Sequence, residues 1–253
     1  MTVVLLHSIG LDSRSWQFLS SSELADAVRY DLLWHGGRAE PDDALTLRAM
    51  AADVVDSVPG RLDVVGVSMG GYVARQLALH WPNRVRSLLT AGASAGDGVG
   101  GGPLRDRAEL TERVGMTGVV HSTLQRWFTD KALTADTPAV AYARSQLVNA
   151  HPNAFAASWR ALASDDSLPR LHQLNIPTTV VHATDDASVP MVASERVAHQ
   201  IPGSRLVLVP GPHMMHLERP QEFEAAVHEH LRWVASQESE SGAIDSVTTV
   251  DPI

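Results

Sequence analysis

The chain has 253 residues, 44% of them hydrophobic and 19% charged, with no cysteine and a formal net charge of −9. The missing thiols exclude disulfides, cysteine-based metal sites and a cysteine nucleophile. Four of the nine excess negative charges (Glu238, Glu240, Asp245 and Asp251) lie in a stretch without Lys or Arg, which leaves a net-acidic body and argues against nucleic acid as the partner.

The first apolar run, 3–7, predicts a short strand. With no basic residue before it, it is too short for a signal segment or a membrane span, so a cytoplasmic protein without membrane contact is expected. Residues 15–27 read as a helix and 28–33 as a second strand. A helix over 45–58 and a fully apolar strand over 62–67 follow, then a helix over 69–80 and a strand over 85–91. Strands that are apolar throughout are covered on both faces, and their alternation with helices predicts a doubly wound, mostly parallel sheet.

Six glycines between Gly92 and Gly102 suggest a mobile loop. No buried strand pattern appears from about 103 to 174, where helical segments carry Trp127, Phe128, Phe155 and Trp159. This stretch reads as a helical cap inserted over the strand ends. The α/β rhythm then resumes with strands at 178–182 and 205–209 and helices at 191–200 and 221–236. The expected organisation is therefore a core of 1–102 and 175–236, a cap of 103–174 and an acidic tail of 237–253. The tail is expected first of all to be a disordered acidic segment; the competing reading, from the β-branched residues at 243–250, is a strand. Such a strand would cover an exposed sheet edge in this chain or across a homo-oligomer.

Gly66-Val67-Ser68-Met69-Gly70-Gly71 follows a strand and opens a helix, the context that a G-x-S-x-G nucleophile elbow requires. The sharp turn lifts the serine hydroxyl above the sheet at a helix N-terminus, where the dipole and a free N–H favour a developing oxyanion. Small residues two before and two after Ser68 let the neighbouring backbones approach.

A serine nucleophile needs a base, and the base needs an orienting acid. Asp185 and Asp186 both follow the strand at 178–182, and His213 follows the strand at 205–209. Both loops lie beyond strand carboxyl ends, where open α/β sheets bind ligands. The second oxyanion donor is expected from the loop His7-Ser8-Ile9-Gly10, so the N–H groups of Ile9 and Met69 are the candidates.

These residues resemble the α/β-hydrolase superfamily along nearly the whole chain. Leu6 to Gly10 with Trp16 is similar to the family's oxyanion loop, and Gly66 to Gly71 to its elbow. Asp186 to Pro190 is similar to its D-x-x-x-P acid loop, and His213 to Pro220 to its H-x-x-H-x-E-x-P segment. The resemblance implies that Asp186 is the acid and that His213, not His216, is the base. Within the superfamily the likeness is to 3-oxoadipate enol-lactonases and related carboxylesterases, through Ser8-Ile9-Gly10, Arg126-Trp127-Phe128-Thr129, and Trp159 with Asp165-Asp166. It implies that Trp127 lines the substrate pocket. Two departures stand out. Where the family carries D-x-R-G-H-G, this chain has Asp31-Leu32-Leu33-Trp34-His35-Gly36, so Trp34 would fill space near the pocket. The two antiparallel edge strands that usually precede the oxyanion loop are missing from the pattern.

The expected activity is cleavage of a small carboxylic ester or lactone through an acyl-enzyme, with no cofactor. Perhydrolases, lyases and cyclases of the same fold share the triad, and some members are small-molecule receptors. Twelve histidines raise the question of metal, but His213 with His216 and His228 with His230 lack a supporting carboxylate pattern, so no metal is expected. Neither glycine-rich segment matches a nucleotide-binding pattern.

Overall fold

The computed structural model describes residues 1–38, 45–96 and 101–247, with side chains to 239. Strand β1 (Thr2–Leu6) leads through two 3₁₀ turns, Ser13–Phe18 and Ser22–Leu24, to β2 (Val28–Tyr30). Helix α1 (Leu47–Ser57), β3 (Leu62–Val67), α2 (Met69–His80) and β4 (Val85–Ala91) complete the first half. Four helices follow: α3 (Gly102–Trp127), α4 (Asp130–Thr134), α5 (Pro138–Asn149) and α6 (Pro152–Ala163). The chain then returns through β5 (Thr178–Ala183), α7 (Met191–Gln200), β6 (Arg205–Val209), α8 (Met215–Glu218) and α9 (Pro220–Val247). The six strands form one sheet in the order β2-β1-β3-β4-β5-β6, every pairing parallel.

Side-chain alternation splits the core into two layers. Val4, Leu6, Val64, Leu88 and Val180 face α1, α2 and the inserted helices. Leu5, Val65, Leu89, Val181 and Val209 face Trp16 and, on α9, Phe223 and Val227. The sheet is therefore wound on both faces, as the apolar strands predict, and all its strands end at one edge of the sheet. There the loops after β1, β3, β5 and β6 converge.

Three expectations need correction. Residues 15–27 do not form a helix. Asp12 caps the first 3₁₀ turn through Arg14 N, and the N–H groups of Ser20 and Ser21 both donate to Glu224 Oε1 at 2.6 Å. A carboxylate some 200 positions along the chain thus takes the amides that a helix would have used. The second strand stops at Tyr30, short of Leu33. The tail strand is also absent: α9 runs on through Val247, and Glu238 pairs with Arg86 of β4 at 3.0 Å. Extending an existing helix adds one hydrogen bond for each residue fixed, whereas a new strand needs a partner. Residues 248–250 of the expected strand, and residues 97–100 of the glycine-rich loop, lie outside the described residues.

Candidate active site

Ser68 closes β3 and caps α2 with φ 54° and ψ −118°, a conformation that side chains avoid and that costs about 1–3 kcal/mol. Backbone packing holds it there. Ser68 N–H donates to Ala91 O at 2.8 Å, and Gly71 N–H returns to Ser68 O at 2.9 Å. A Cβ on Gly70 would fall on the carbonyl of Leu6, and one on Gly66 on the carbonyl of Gly70, which explains why both positions are bare. Beneath the turn lies fully buried Arg75, which donates to Thr90 Oγ1 at 3.0 Å, Ala93 O at 3.2 Å and Ser94 O. It ties the first turns of α2 to the loop after β4.

The structure brings the three predicted residues of the relay together. His213 Nε2 lies 3.1 Å from Ser68 Oγ, and His213 Nδ1 lies 2.8 Å from Asp186 Oδ2. The other oxygen of Asp186 accepts from Ser188 N at 2.7 Å and Val189 N at 2.9 Å. Burial alone would raise the Asp186 carboxyl above its ordinary range, but the hydrogen bonds from His213, Val189 and Ser188 outweigh it and hold the group below that range. A carboxylate that stays ionised fixes Nδ1 as the protonated nitrogen of His213 and leaves Nε2 as an acceptor toward Ser68. Asp185 is exposed and meets Thr184 Oγ1, so it has no part in this relay. His216 is fully buried against Trp16 and Phe223, away from Ser68 contact.

Ile9 and Met69 are both buried. Met69 is the first residue of α2, where an N–H has no partner within the helix. In the opposite loop the Gly10 amide is already engaged, donating to His35 Nε2 at 3.1 Å. His35 Nδ1 then donates to Leu33 O at 2.9 Å, and His7 is arranged the same way, with Leu32 N–H on its Nε2 at 3.0 Å and its Nδ1 on Ser8 O at 2.8 Å. Acceptor nitrogens require neutral rings. Burial enforces this, pushing His7 down to about 4 and His35 to about 3. Two neutral histidines thus brace the loop after β1 against the loop after β2. No motif in the sequence marks the rings of His7 and His35 or the side chain of Arg75 for these roles.

Trp34 adopts φ 66° and lines a cleft of about 570 Å³ with Gly10, Leu11, His35 and Phe155. Trp127 is 2% exposed, and its carbonyl accepts from Met214 N–H at 3.1 Å, one residue beyond His213. Thr129 donates twice to Glu218, through N–H at 3.0 Å and Oγ1 at 2.6 Å. The end of α3 is therefore fastened directly to the segment that carries His213. Among the described residues no group of three or more His, Cys, Asp or Glu is placed to hold a metal ion, and no helix is long and apolar enough to cross a membrane.

A model of the alpha/beta hydrolase family matches residues 3–226. The chain belongs to that family. Among curated relatives, this hydrolase is 25% identical over 232 residues to 3-oxoadipate enol-lactonase 2 of Acinetobacter baylyi, covering 89% of this chain and 86% of the relative. It is 28% identical over 235 residues to a pimeloyl-[acyl-carrier protein] methyl ester esterase of Nitrosomonas europaea, covering 87% and 92%. A solved hydrolase structure from Pseudomonas aeruginosa PA01 superposes with a TM-score of 0.83 at 29% identity, over 91% of this chain and 89% of that one. The resemblance read from the motifs and the doubly wound fold are both borne out, and this α/β-hydrolase is an enzyme.

Proposed function

We propose that this hydrolase cleaves a carboxylic ester or lactone through an acyl-enzyme formed on Ser68. Ser68 Oγ attacks the carbonyl carbon while His213 Nε2 takes its proton. The carbonyl oxygen becomes an oxyanion held by the N–H groups of Ile9 and Met69. The tetrahedral intermediate collapses, the carbon–oxygen bond to the alkoxide breaks, and His213 returns the proton to that leaving oxygen. A lactone keeps its alcohol on the acyl group; an ester releases it. Water, deprotonated by His213, then attacks the acyl carbon and restores the serine. Asp186 keeps the tautomer and stabilises the imidazolium.

The observation that carries this reading is the relay of 3.1 Å and 2.8 Å running from a strained serine to an ionised, buried carboxylate. The names of the curated relatives, a lactonase and a methyl ester esterase, support the same bond type. Residues 103–174 serve as a cap over Ser68, and Trp127 belongs to the substrate enclosure, where its carbonyl anchors the residue after His213. The substrate is a small molecule, and the chemistry requires no cofactor.

The test is turnover of a p-nitrophenyl ester. Ser68→Ala should lower kcat by on the order of 10⁴–10⁶ with an unchanged melting temperature. Undiminished activity in that variant removes the assignment. Saturable binding of the ester without turnover by the native chain would favour a receptor instead.

A further inference from the structure

A sheet ends in two strands whose outer N–H and C=O groups lack a strand partner, and proteins shield such edges with prolines, lysines, bulges or a covering segment. Here β2 and β6 stand at the two ends. β2 is three residues long, whereas β6 has five, without proline, lysine or a register shift against β5. Its two leucines are left in water: Leu206 is 37% and Leu208 54% exposed. They lie beside Val180 and His182 of β5, on the face where His182 Nδ1 meets Ser194 Oγ of α7 at 3.0 Å. Val207 and Val209 lie beside Val181 and Ala183, on the face that α9 covers. Among the described residues β5 is the one strand that pairs with β6.

The charges along this edge are ordered so that a reversed copy complements them. Arg205, at the start of β6, lies 4.1 Å over the Trp233 ring and 3.7 Å from Glu229 of α9. Helix α9 runs back alongside β6, so Glu222, two turns before Glu229 on the same helix face, lies about 10 Å nearer the end at which β6 finishes. Glu222 is exposed and has no ion pair among the described residues. The edge therefore carries a cation at one end and an unpaired carboxylate at the other.

We infer that β6 pairs antiparallel with β6 of a second copy of this chain, about a two-fold axis through Val207, and joins the two sheets edge to edge. Opposite residues of an antiparallel pair point to one face, so a slip by one residue is forbidden. The register centred on Val207 sets Leu206 against Leu208 of the partner subunit, and Leu208 against Leu206 of the partner subunit, in one apolar cluster on the α7 face. The same rotation brings Arg205 of each chain to the far end of β6 in the other, where Glu222 stands. A self-complementary patch of this kind closes as a dimer and leaves neither copy of β6 as a free edge.

Light scattering of the full chain across about 1–100 µM should show a monomer–dimer equilibrium. Leu206→Lys combined with Leu208→Lys sets like charges face to face; it should raise the dissociation constant at least about a hundredfold while the circular dichroism stays native. Because the chain has no cysteine, Val207→Cys supplies a single thiol. Opposite residues of an antiparallel pair have Cα atoms about 4.5–5.5 Å apart, a span that a disulfide bridges. Mild oxidation should therefore convert Val207→Cys to a covalent dimer and leave Val148→Cys, exposed on α5, a monomer. Arg205→Glu should weaken the dimer by up to about tenfold, and adding Glu222→Arg should restore it. A native chain that is monomeric at the top of the range, or a dimer indifferent to the lysines, would overturn the pairing. Val207→Cys crosslinking no faster than Val148→Cys, or no rescue by Glu222→Arg, would overturn the antiparallel register. If the lysine variant does not fold, the cysteine pair decides alone.

Discussion

Lowering the pH from 7 to 5 should remove most of the protein's stability, although carboxylates scarcely titrate in that range. His7, His35, His216 and His230 are 0%, 7%, 0% and 2% exposed. Burial holds them at about 4, 3, 3 and 4, against an ordinary value of 6.5. Between those limits the unfolded chain binds protons that the folded chain refuses, so stability falls as the pH falls; above 6.5 both states are neutral and the contribution is flat. At pH 5 each unfolded imidazole is protonated about thirty to one while its native counterpart is neutral, a cost of about 2 kcal/mol per site. That figure depends on the unfolded value and only weakly on how far below 5 the native one lies. The four sites together come to about 8 kcal/mol, comparable to the whole stability of an ordinary domain at about 5–15 kcal/mol. Urea midpoints at pH 8, 7, 6 and 5 measure it, with a slope approaching about 5 kcal/mol per pH unit at the acid end. His216→Phe should reduce that slope by one proton. Its two ring nitrogens have no hydrogen-bond partner, and Trp16 and Phe223 lie at 5.0 and 6.0 Å, so an aromatic ring suits the site. Stability that is flat from pH 7 to pH 5, or an unaltered slope in the variant, would refute the reasoning.

Asp186→Asn should cost kcat on the order of 10⁴ through the wrong His213 tautomer, whereas Asp185→Asn should stay within about twofold; kcat measured on one neutral ester ranks them, and the reverse order would place the acid one residue away. Glu238→Gln should cost no more than about 1 kcal/mol in urea unfolding, since the pair is partly exposed and Arg86 keeps Asp63 at 2.5 Å. A loss above about 2 kcal/mol would show that the end of α9 is braced by more than this ion pair.

What the sequence made legible was local in character. Ser68 could be named because its elbow motif directly follows an apolar strand, and the acid and base loops because a parallel sheet delivers such positions to one edge; the choice of Asp186 over Asp185 and of His213 over His216 came from the family resemblance. The features that escaped are set by partners far along the chain. The amides of Ser20 and Ser21 are captured by Glu224, so a serine-rich amphipathic stretch becomes two 3₁₀ turns. His7 and His35 serve as acceptors only because β1 and β2 lie side by side, bringing the Gly10 and Leu32 amides to the two rings. Arg75 is a charge on the inward face of α2, the one local sign that something polar lay beneath the elbow. Neither reading of the tail, disordered or strand, foresaw that α9 runs on through Val247, because helix propagation needed no new partner.

The crowding around the elbow also bears on how this chain can be diversified. At positions 66 and 70 an added methyl meets carbonyl groups of the main chain, which no second substitution can trim away. At position 10 the obstacles are the tips of Phe155 and Leu147, which a library can shorten, although φ of 68° there still favours glycine. A laboratory search for new specificity therefore has little to gain at the first two codons. Its room for manoeuvre lies in the inserted helices, where walls of the clefts can be redrawn one side chain at a time while Ser68 keeps its geometry.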